Sequence, residues 1–429
     1  MRMRSSALLV VLLAFAISIG TLTPAAQDAT ATPEATPAAE EATQAPATEP
    51  ATAPEPASAD VNVFVTETRP FSEELLSQLS LPEGFTVSVF ATDLGNARMI
   101  EVSESGVIYV SRPGTNDVIA LFDQNADGML DVQGFRVVAS NIPVAHGLAI
   151  SGDQMYIAGE KEIYVADILE DGSLGQPTVI SSGLPDGDQH ARRTLTFGPD
   201  GALYAHLGSS CNACIESNPE NAVIVRVPLD GSERQIVVEG VRNTLGYDWS
   251  PETGDLWGFD HGSDFRGDDD PPEELNLIQE GSHYGWPFCY GDQQVDRYIP
   301  YKTDDLFGMT TEEFCATTIA PTLTYQAHSA PIELKFYSGT QFPEDYVNDA
   351  FVTMRGSWNR YPATGYKVVR VHFEDGRPTE ITDFLSGFLI EDGTAHFARL
   401  AGLAFGPDGS MLVSDDTNGV IYRVTYTGS

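Results

Sequence analysis

The 429-residue chain has 42% hydrophobic and 10% aromatic residues, which is typical of a globular protein with one large core or two domains. Its 62 Asp and Glu outnumber its 23 Lys and Arg, giving a formal net charge of −39. This balance argues against nucleic acid and anionic lipid as partners, because both require a basic protein surface.

Residues 1–26 predict a secretory signal peptide. Arg2 and Arg4 give a positive start, and an apolar run follows from Ala7 to Leu22. The alternative is an uncleaved membrane anchor, because no small-x-small cleavage site stands out. We expect a secreted, periplasmic or cell-surface protein whose only membrane contact is such an anchor.

Residues 27–60 consist largely of Ala, Thr, Pro and Glu, with almost no large apolar side chain. Such a segment cannot bury enough apolar surface to offset the entropy lost on ordering. We therefore predict a disordered linker here and a folded domain over residues 61–429.

The folded part repeats one unit, a Gly- or Asp-rich turn followed by an apolar, β-branched or aromatic strand. Six copies start near residues 103, 151, 198, 250, 346 and 406. The early copies lie roughly 50 residues apart, a period typical of propeller blades. The sequence predicts an all-β, six-bladed β-propeller with a long inserted loop between the fourth and fifth copies, and helix only around Ser72 to Leu79. The strand starting at Phe85 is expected to pair with the last blade; a β-sandwich or two smaller all-β domains is the alternative.

The segment "DQNADGMLD" has the spacing of a calcium-binding loop. Asp123, Asn125, Asp127 and Asp131 alternate along it, and Gly128 stands where such loops turn sharply. Gly134 occupies the position of the closing Glu of an EF-hand. We expect a structural calcium site, with a simple Asp/Asn/Gly turn as the alternative.

Two further segments place polar side chains beside predicted strands, where propeller loops converge on one mouth of the channel. The segment "DGDQHARRTLTFGPDG" puts His190, Arg192 and Arg193 before one strand. Arg242 and Asn243 precede another, and "DHGSDFRGDDDPPEE" follows the next. This last run is either part of a calcium site or a solvated acidic loop.

Six motifs occur in one order: "HARRTLTFGPDG", "VRNTLGYDWSPETGDLW", "DHGSDFRGDDDPPEELNLI", "GSHYGWPFCYG", "AHSAP" and "GSWNR". Together they resemble the glucose/sorbosone dehydrogenase family, soluble sugar dehydrogenases that depend on pyrroloquinoline quinone (PQQ), and above all its sorbosone dehydrogenase-like branch. The resemblance runs from about Leu81 to Tyr426. It implies a six-bladed propeller that binds PQQ and calcium and oxidises sugar hydroxyls or aldehydes.

The resemblance also implies roles for individual residues. His190 matches the general base, and a neutral imidazole suits that task near neutral pH. Arg242 matches an arginine at the quinone oxygens, where charge develops. The other residues implied to bind the cofactor, which carries three carboxylates, are Asn243, His328, Arg355 and Arg399.

The resemblance implies ligands for two calcium ions. Backbone carbonyls matching Gly262 and Ser263 hold the calcium that polarises the quinone, and Glu274 matches a ligand of a second, structural calcium. The chain departs from the soluble glucose dehydrogenases at three positions: Gln189, Ser263 and Ala401 replace an aspartate, a proline and a cofactor arginine. These departures put the glucose specificity in doubt. The sequence leaves open whether Arg193 orders its loop or contacts substrate.

Four cysteines remain. "CNAC" at residues 211–214 is compatible with a redox-active pair or half of a zinc site, but export favours disulfides. We predict Cys211–Cys214 and Cys289–Cys315. No histidine follows Cys214, so the c-type haem motif is absent and electrons are expected to leave to a separate acceptor.

The sequence thus predicts an exported quinoprotein oxidoreductase acting on a small sugar, with no nucleic acid partner. Two alternatives stay open: a calcium-dependent propeller lactonase or other hydrolase, and a non-catalytic propeller that binds sugar. Neither alternative requires arginines around the site.

Overall fold

The computed structural model describes residues 63–131, 134–300 and 303–428. The signal peptide and the linker predicted from the sequence lie outside these residues. Across the described ranges, no helix is both long enough and apolar enough to cross a membrane.

The chain begins with two strands and a short 3-10 helix: β1 Glu67–Thr68, the helix Glu73–Gln78 and β2 Phe85–Ala91. Sheet 1 follows, with β3 Ile100–Val102, β4 Ile108–Arg112, β5 Asp117–Leu121 and β6 Arg136–Ser140. Sheet 2 contains β7 Leu148–Ser151, β8 Gln154–Ala158, β9 Glu162–Asp167 and β10 Thr178–Ser182. Sheet 3 contains β11 Leu195–Phe197, β12 Leu203–Leu207, β13 Val223–Val227 and β14 Gln235–Glu239, preceded by a 3-10 turn at Asp188–His190.

Sheet 4 is interrupted by the inserted segment. Its first strands are β15 Gly246–Trp249, β16 Leu256–Asp260 and β17 Glu273–Ile278. The insertion then forms β18 Cys289–Tyr290, β19 Gln294–Val295, α1 Asp304–Phe307 and α2 Thr311–Cys315. The fourth strand of the sheet follows as β20 Leu323–Tyr325.

Sheet 5 contains β21 Pro331–Phe336, β22 Ala350–Met354, β23 Lys367–Glu374 and β24 Arg377–Leu385, with a 3-10 turn at Glu344–Tyr346. A small sheet joins β1 to β25 Leu389–Ile390 and β26 Ala395–His396, with a 3-10 turn at Glu391–Gly393 between the latter two. Sheet 6 contains β27 Leu400–Phe405, β28 Met411–Asp415 and β29 Val420–Tyr426, and β2 adds its fourth strand. The predicted pairing of the Phe85 strand with the last unit of the chain is confirmed, because β2 runs antiparallel to β29.

The hairpin turns follow from the repeated Gly-Pro-Asp-Gly sequence. Between β11 and β12, the Asp200 carboxylate accepts a hydrogen bond of 3.0 Å from the Ala202 backbone N–H. Gly201 has φ of 76°, a left-handed conformation that glycine adopts without steric cost. The same sequence turns the chain between β27 and β28, so one local motif builds two hairpins at corresponding places.

Hydrophobic clusters join each sheet to the next. Among the described residues, six four-stranded antiparallel sheets share such clusters pairwise, and sheet 6 also packs on sheet 1. Representative pairs across successive sheets are Tyr109 with Met155, Ile163 with Leu203, Ile224 with Leu256, Phe259 with Val352, Phe384 with Val413, and Leu412 with Val110. The clusters therefore form a closed ring, and the predicted all-β, propeller-like fold is confirmed.

The first strands of the sheets face the centre of this ring. Successive first strands β27, β3, β7 and β11 contact one another, as do β15, β21 and β27. Between β11 and β15 the Tyr247 hydroxyl donates to the Thr194 carbonyl at 2.8 Å. In an antiparallel sheet the start of the first strand adjoins the end of the second. Loops before first strands and loops after second strands therefore meet at one end of the ring.

Helical structure differs from the sequence prediction. The segment expected to be helical around Ser72 to Leu79 is a 3-10 helix, and two short α-helices occur in the insertion, where none was expected. A capping box explains α2: the Thr310 hydroxyl accepts from the Glu313 N–H at 3.2 Å, and the Glu313 carboxylate accepts from the Thr310 N–H at 2.9 Å.

Candidate active site

A cavity of about 290 Å³ opens at the end of the ring where these loops meet. Its wall comes from loops before β3, β11, β15, β21 and β27, and from loops after β16 and β22. The fold thus brings together residues that lie up to 300 positions apart in the sequence. A concave site of this kind, formed by loops on a packed ring, is a common location for ligand binding.

The cavity collects most of the residues singled out from the sequence. Seven of the predicted site residues occur in its described lining: His190, Arg242, Asn243, Gly262, His328, Arg355 and Arg399. Ser263 and Glu274 line a smaller adjacent cavity of about 20 Å³. The loop of Asp123 lies elsewhere.

His190 is held by Ser209, two residues after the end of β12. Its Nδ1 lies 2.9 Å from the Ser209 carbonyl oxygen and 2.8 Å from the Ser209 hydroxyl oxygen. A carbonyl oxygen only accepts hydrogen bonds, so Nδ1 carries the ring proton. Nε2 is then the basic nitrogen, which is the tautomer that a general base at the cavity requires.

Burial lowers the pKa of His190 well below its usual 6.5, and the Arg242 guanidinium lowers it further, although the hydrogen bond with Ser209 acts the other way. Charging the imidazole would cost desolvation and repulsion from a nearby cation. The ring is therefore neutral at physiological pH.

Gly208 allows the close approach that this arrangement needs. A Cβ atom at this position would lie 2.6 Å from the His190 Cβ and 3.1 Å from the Asn243 side-chain oxygen. Only glycine allows the backbone just after β12 to lie this close to the side chains of His190 and Asn243.

Arg242 and Asn243 are fixed by the buried Asp260 at the end of β16. Its carboxylate accepts from the Arg242 N–H at 2.9 Å, the Asn243 N–H at 2.7 Å and the Thr244 hydroxyl at 2.8 Å. The Arg242 side chain is 3% exposed and forms an ion pair of 3.2 Å with Asp264. These bonds place the guanidinium in the cavity wall with little freedom to move.

Arginines dominate the electrostatics of the cavity. Five of them line it within the described part of the chain: Arg98, Arg192, Arg242, Arg355 and Arg399. They are gathered at one site in a protein whose net charge is −39. The cavity is therefore a basic site in an acidic protein.

Asp416 holds two of these arginines together. Arg355 forms a two-pronged ion pair with its carboxylate at 3.0 and 3.1 Å, and Arg98 pairs with the same group. One carboxylate between two guanidinium groups leaves positive charge uncompensated. Burial and the nearby Arg355 and Arg192 lower the pKa of Arg98 to about 9, against the attraction of Asp416.

Two other arginines lack a carboxylate at ion-pair distance among the described residues. Arg399 donates through Nη2 to the Gly356 carbonyl at 2.6 Å, and burial together with Arg355 lowers its pKa to about 10. Burial and Arg355 also lower the pKa of Arg192. Each of these two guanidinium groups is close to that of Arg355, and this crowding of positive charge favours binding of an anion.

Arg193, whose role the sequence left open, orders its loop. It is fully buried and donates to the His190 carbonyl at 2.7 Å and the Pro185 carbonyl at 2.6 Å. It does not occur in the described cavity wall. Arg193 therefore fixes the backbone of the turn that carries His190.

Two adjacent glutamates of β17 point to different cavities, because successive side chains of a strand face opposite sides. Glu273, which the sequence did not single out, lines the main cavity. Its carboxylate accepts from the backbone N–H groups of Ala330 at 2.8 Å and Gly262 at 3.1 Å, and burial raises its pKa to about 8. Glu274 lines the small cavity instead, where burial and Asp260 raise its pKa to about 8.

The loop of Asp123 connects β5 to β6 at the end of sheet 1 opposite the main cavity. The Asp123 carboxylate accepts hydrogen bonds from the Asp127 N–H at 3.0 Å and the Gly128 N–H at 2.9 Å. Asn125 donates to Asp127, and Asp131 accepts from the Gln124 N–H. Backbone N–H groups of the loop thus bond to its acidic side chains, and the calcium site stays a prediction.

Both predicted disulfides are confirmed, with sulfur–sulfur bonds between Cys211 and Cys214 and between Cys289 and Cys315. Cys211, Cys214 and Glu216 also form the one set of three potential metal ligands within 4.8 Å of each other in the described chain. Because the two sulfurs are bonded to each other, they do not offer two thiolates to a metal.

The fold and this arginine-lined cavity together define a propeller-like β protein with a basic ligand site. The model of the TrAA12-like family matches residues 79–427, and the chain belongs to this family. The match covers both hairpins with the Gly-Pro-Asp-Gly turn and every loop of the cavity.

Relatives support this assignment. An uncharacterized protein of Borreliella burgdorferi is 29% identical over 372 residues, covering 83% of this chain and 93% of that one. A pyrroloquinoline quinone-dependent sugar dehydrogenase of Hypocrea jecorina is 23% identical over 402 residues, covering 79% of this chain and 87% of that one. The resemblance to PQQ-dependent sugar dehydrogenases is confirmed.

A solved structure shares the fold. The calcium structure of a Trichoderma reesei protein of carbohydrate-active enzyme family AA12 superposes with a TM-score of 0.68 at 22% identity. The match covers 86% of this chain and all of that one.

Four cavity residues were given no individual role by the sequence: Arg98, Asp264, Glu273 and Asn359. Asp264, Glu273 and Asn359 lie inside the quoted motifs, and Arg98 lies outside all of them. Arg98 stands two residues before the first strand of sheet 1, much as Arg399 stands one residue before the first strand of sheet 6. Comparing positions between repeats could have identified Arg98.

Proposed function

We propose that this protein is a PQQ-dependent sugar dehydrogenase that oxidises a hydroxyl or an aldehyde group of a sugar. The observation that carries the proposal is the set of five arginines in one cavity beside a neutral, oriented histidine. The family and the activity named for the Hypocrea jecorina relative support it.

The residues present fit the cofactor. PQQ is a planar tricarboxylate, and guanidinium groups bind carboxylates through paired, charge-assisted hydrogen bonds. Arg98, Arg192, Arg355 and Arg399 carry excess positive charge that an anion would neutralise. We assign them, with Arg242, Asn243 and His328, to cofactor binding.

When bound, PQQ would supply a hydride acceptor and calcium would supply Lewis-acid polarisation. The chain must supply the base. His190 holds its ring proton on Nδ1 against Ser209, so Nε2 takes the proton of the substrate hydroxyl. Arg242 supplies positive charge in the same wall and stabilises negative charge that develops beside it.

Calcium binding is assigned to oxygen atoms of this chain. Backbone carbonyls at Gly262 and Ser263 offer hard ligands at the edge of the main cavity, and Glu274 offers a carboxylate in the adjacent one. Asp123, Asn125, Asp127 and Asp131 are assigned to a separate structural calcium at the opposite end of sheet 1. Loss of the calcium ion at the Asp123 loop should lower stability rather than turnover.

The remaining features of the proposal concern the context of the reaction. We assign each four-stranded sheet to one blade of a six-bladed propeller. The two disulfides favour an oxidising, extracytoplasmic compartment. A separate electron acceptor reoxidises the cofactor, and the substrate is a glucose- or sorbosone-type sugar.

Dye reduction tests this function. The full chain is stripped of metal, reconstituted with PQQ and calcium, and supplied with a panel of aldoses and sugar aldehydes in the presence of an artificial acceptor. We expect reduction that requires sugar, PQQ and calcium together. Equal rates without PQQ, or no reduction with any sugar by protein that has bound PQQ, would overturn the proposal.

The lowered pKa of His190 makes a prediction about pH. Because burial and Arg242 disfavour the imidazolium, the ring should stay neutral as the pH falls through the usual range of free histidine. In the protein without PQQ, NMR titration of the His190 ring should give a midpoint well below 6.5. A midpoint at or above 6.5 would contradict the burial of this ring beside Arg242. The half-buried His372 provides an internal comparison in the same spectra.

A further inference from the structure

The segment Ser209–Cys214 connects both proposed reactive side chains, His190 and Arg242, to one disulfide. Ser209 receives the ring of His190, and its own backbone N–H donates to the Arg242 carbonyl at 2.9 Å. Two residues later, the disulfide between Cys211 and Cys214 closes the chain into a turn. Neither cysteine lines the main cavity in the described part of the chain.

Asn212 lies inside this disulfide-closed turn and accepts two hydrogen bonds from the guanidinium of Arg242. Its backbone carbonyl accepts from Arg242 Nε at 2.9 Å, and its side-chain oxygen accepts from Nη2 at 2.9 Å. The same side chain bridges to Asp264: Oδ1 accepts from the Asp264 N–H at 2.7 Å, and Nδ2 donates to the Asp264 carbonyl at 3.0 Å. Asn212 therefore fixes both partners of the Arg242–Asp264 ion pair.

Cys211 acts on the histidine through Ser209. The Ser209 hydroxyl donates its one proton to the Cys211 carbonyl at 2.8 Å. It can then only accept from His190, as the Ser209 carbonyl does, so both contacts require the proton on Nδ1. If the Cys211 carbonyl moved away, the hydroxyl would be free to donate to Nδ1 and would compete with the Ser209 carbonyl, which requires the proton on that nitrogen.

We infer that the Cys211–Cys214 disulfide and Asn212 form a positioning element that sets the orientation of Arg242 and the tautomer of His190. The disulfide keeps the turn in the one conformation where the Cys211 carbonyl faces Ser209 and Asn212 faces Arg242. Glu216 fixes Ser210, the residue before Cys211. The Glu216 carboxylate accepts hydrogen bonds from the Ser210 N–H at 2.7 Å and the Ser210 hydroxyl at 2.6 Å. The inference deepens the proposed function and rests on it for its effect on turnover.

The test compares two variants of this element with a matched control. The variants are Asn212→Ala and the double substitution Cys211→Ser/Cys214→Ser in the full chain. The control is Cys289→Ser/Cys315→Ser, which removes the other disulfide, located in the insertion among Phe288 and Phe314. Because Cys289 lines the small cavity that contains Glu274, all variants are assayed at saturating calcium. The readouts are kcat and KM, affinity for PQQ by absorbance, and histidine ring ¹⁵N NMR of the protein without cofactor, with His190→Ala used to assign the His190 signal.

We expect both variants to lose about 10- to 100-fold in kcat with a smaller change in the sugar KM, because small displacements of reacting groups are costly. PQQ affinity should fall in both. The ¹⁵N signals of His190 should show the Nδ1–H tautomer in the wild type and the control, and a mixture of tautomers in the Cys211→Ser/Cys214→Ser protein.

The outcomes separate this inference from the proposed function. If the wild type neither binds PQQ nor oxidises sugars, the proposed function fails, and the NMR comparison still decides whether the turn sets the tautomer. If the variants match the control in kcat, PQQ affinity and tautomer, the positioning role is overturned. Equal losses of kcat in the variants and the control would likewise show that disulfides act on stability alone.

Discussion

Replacing His190 with alanine should lower kcat by about a hundred- to ten-thousandfold, the usual contribution of a positioned general base. Its Nε2 is the basic nitrogen of a neutral ring held by Ser209 at the cavity wall. The substitution removes no positive charge, so PQQ affinity measured by absorbance should change little. This combination, binding retained and turnover lost, separates a base from a structural residue.

The matched control is His372→Ala. His372 lies on β23, outside the described cavity wall, and its Nε2 pairs with Thr382 at 2.7 Å. We expect this variant to retain kcat. A His190→Ala enzyme that binds PQQ and turns over at the wild-type rate would remove His190 from the mechanism.

Replacing Arg399 with methionine should weaken PQQ binding by about 10- to 150-fold. A hydrogen bond to a charged partner is worth about 1.5–3 kcal/mol, and each 1.4 kcal/mol is a factor of about ten in affinity. Methionine keeps most of the length of the side chain while removing its charge. Because burial and Arg355 already disfavour the charged form of Arg399, the free protein should tolerate the change.

The control for this experiment is Arg226→Met. Arg226 lies on β13, where it pairs with Glu280 at 3.3 Å and stacks near Tyr204. The Arg226→Met substitution removes the same charge from the protein as Arg399→Met and leaves the cavity lining unchanged. Equal losses of PQQ affinity in the two variants would indicate a general effect of net charge and would contradict a specific role for Arg399.

Local patterns in the sequence predicted the fold well because each repeat is encoded by its own turn and strands. The Gly-Pro-Asp-Gly hairpins and the alternation of apolar residues require no long-range information. The pairing of β2 with β29 was also accessible, since a ring of repeats needs a closing strand. The 3-10 conformation of residues 73–78 and the short helices of the insertion depend on local capping and packing that periodicity does not report.

The candidate site was predictable only where a motif marked it. His190 and Arg242 lie in quoted motifs, the family resemblance singled out Arg399, and all three line the cavity. Arg98 was missed because its importance arises when the ring closes and brings distant loops together. Glu273 lies in a quoted motif, but no individual role was predicted for it from the sequence. Glu273 and Glu274 are neighbours in the sequence, and the choice between them depends on which face of β17 each side chain occupies. The hydrogen bonds from Asn212 to Arg242 depend on a turn geometry that "CNAC" does not specify.

The most direct test of the central claim is a titration of the metal-stripped protein with PQQ, with and without calcium, followed by cofactor absorbance. The arginine-lined cavity predicts saturable, stoichiometric binding that calcium strengthens, with an affinity about 10- to 150-fold weaker in Arg399→Met but unchanged in Arg226→Met. Absence of binding at micromolar PQQ in the presence of calcium would contradict the account, and the five arginines would then have to serve a different anion.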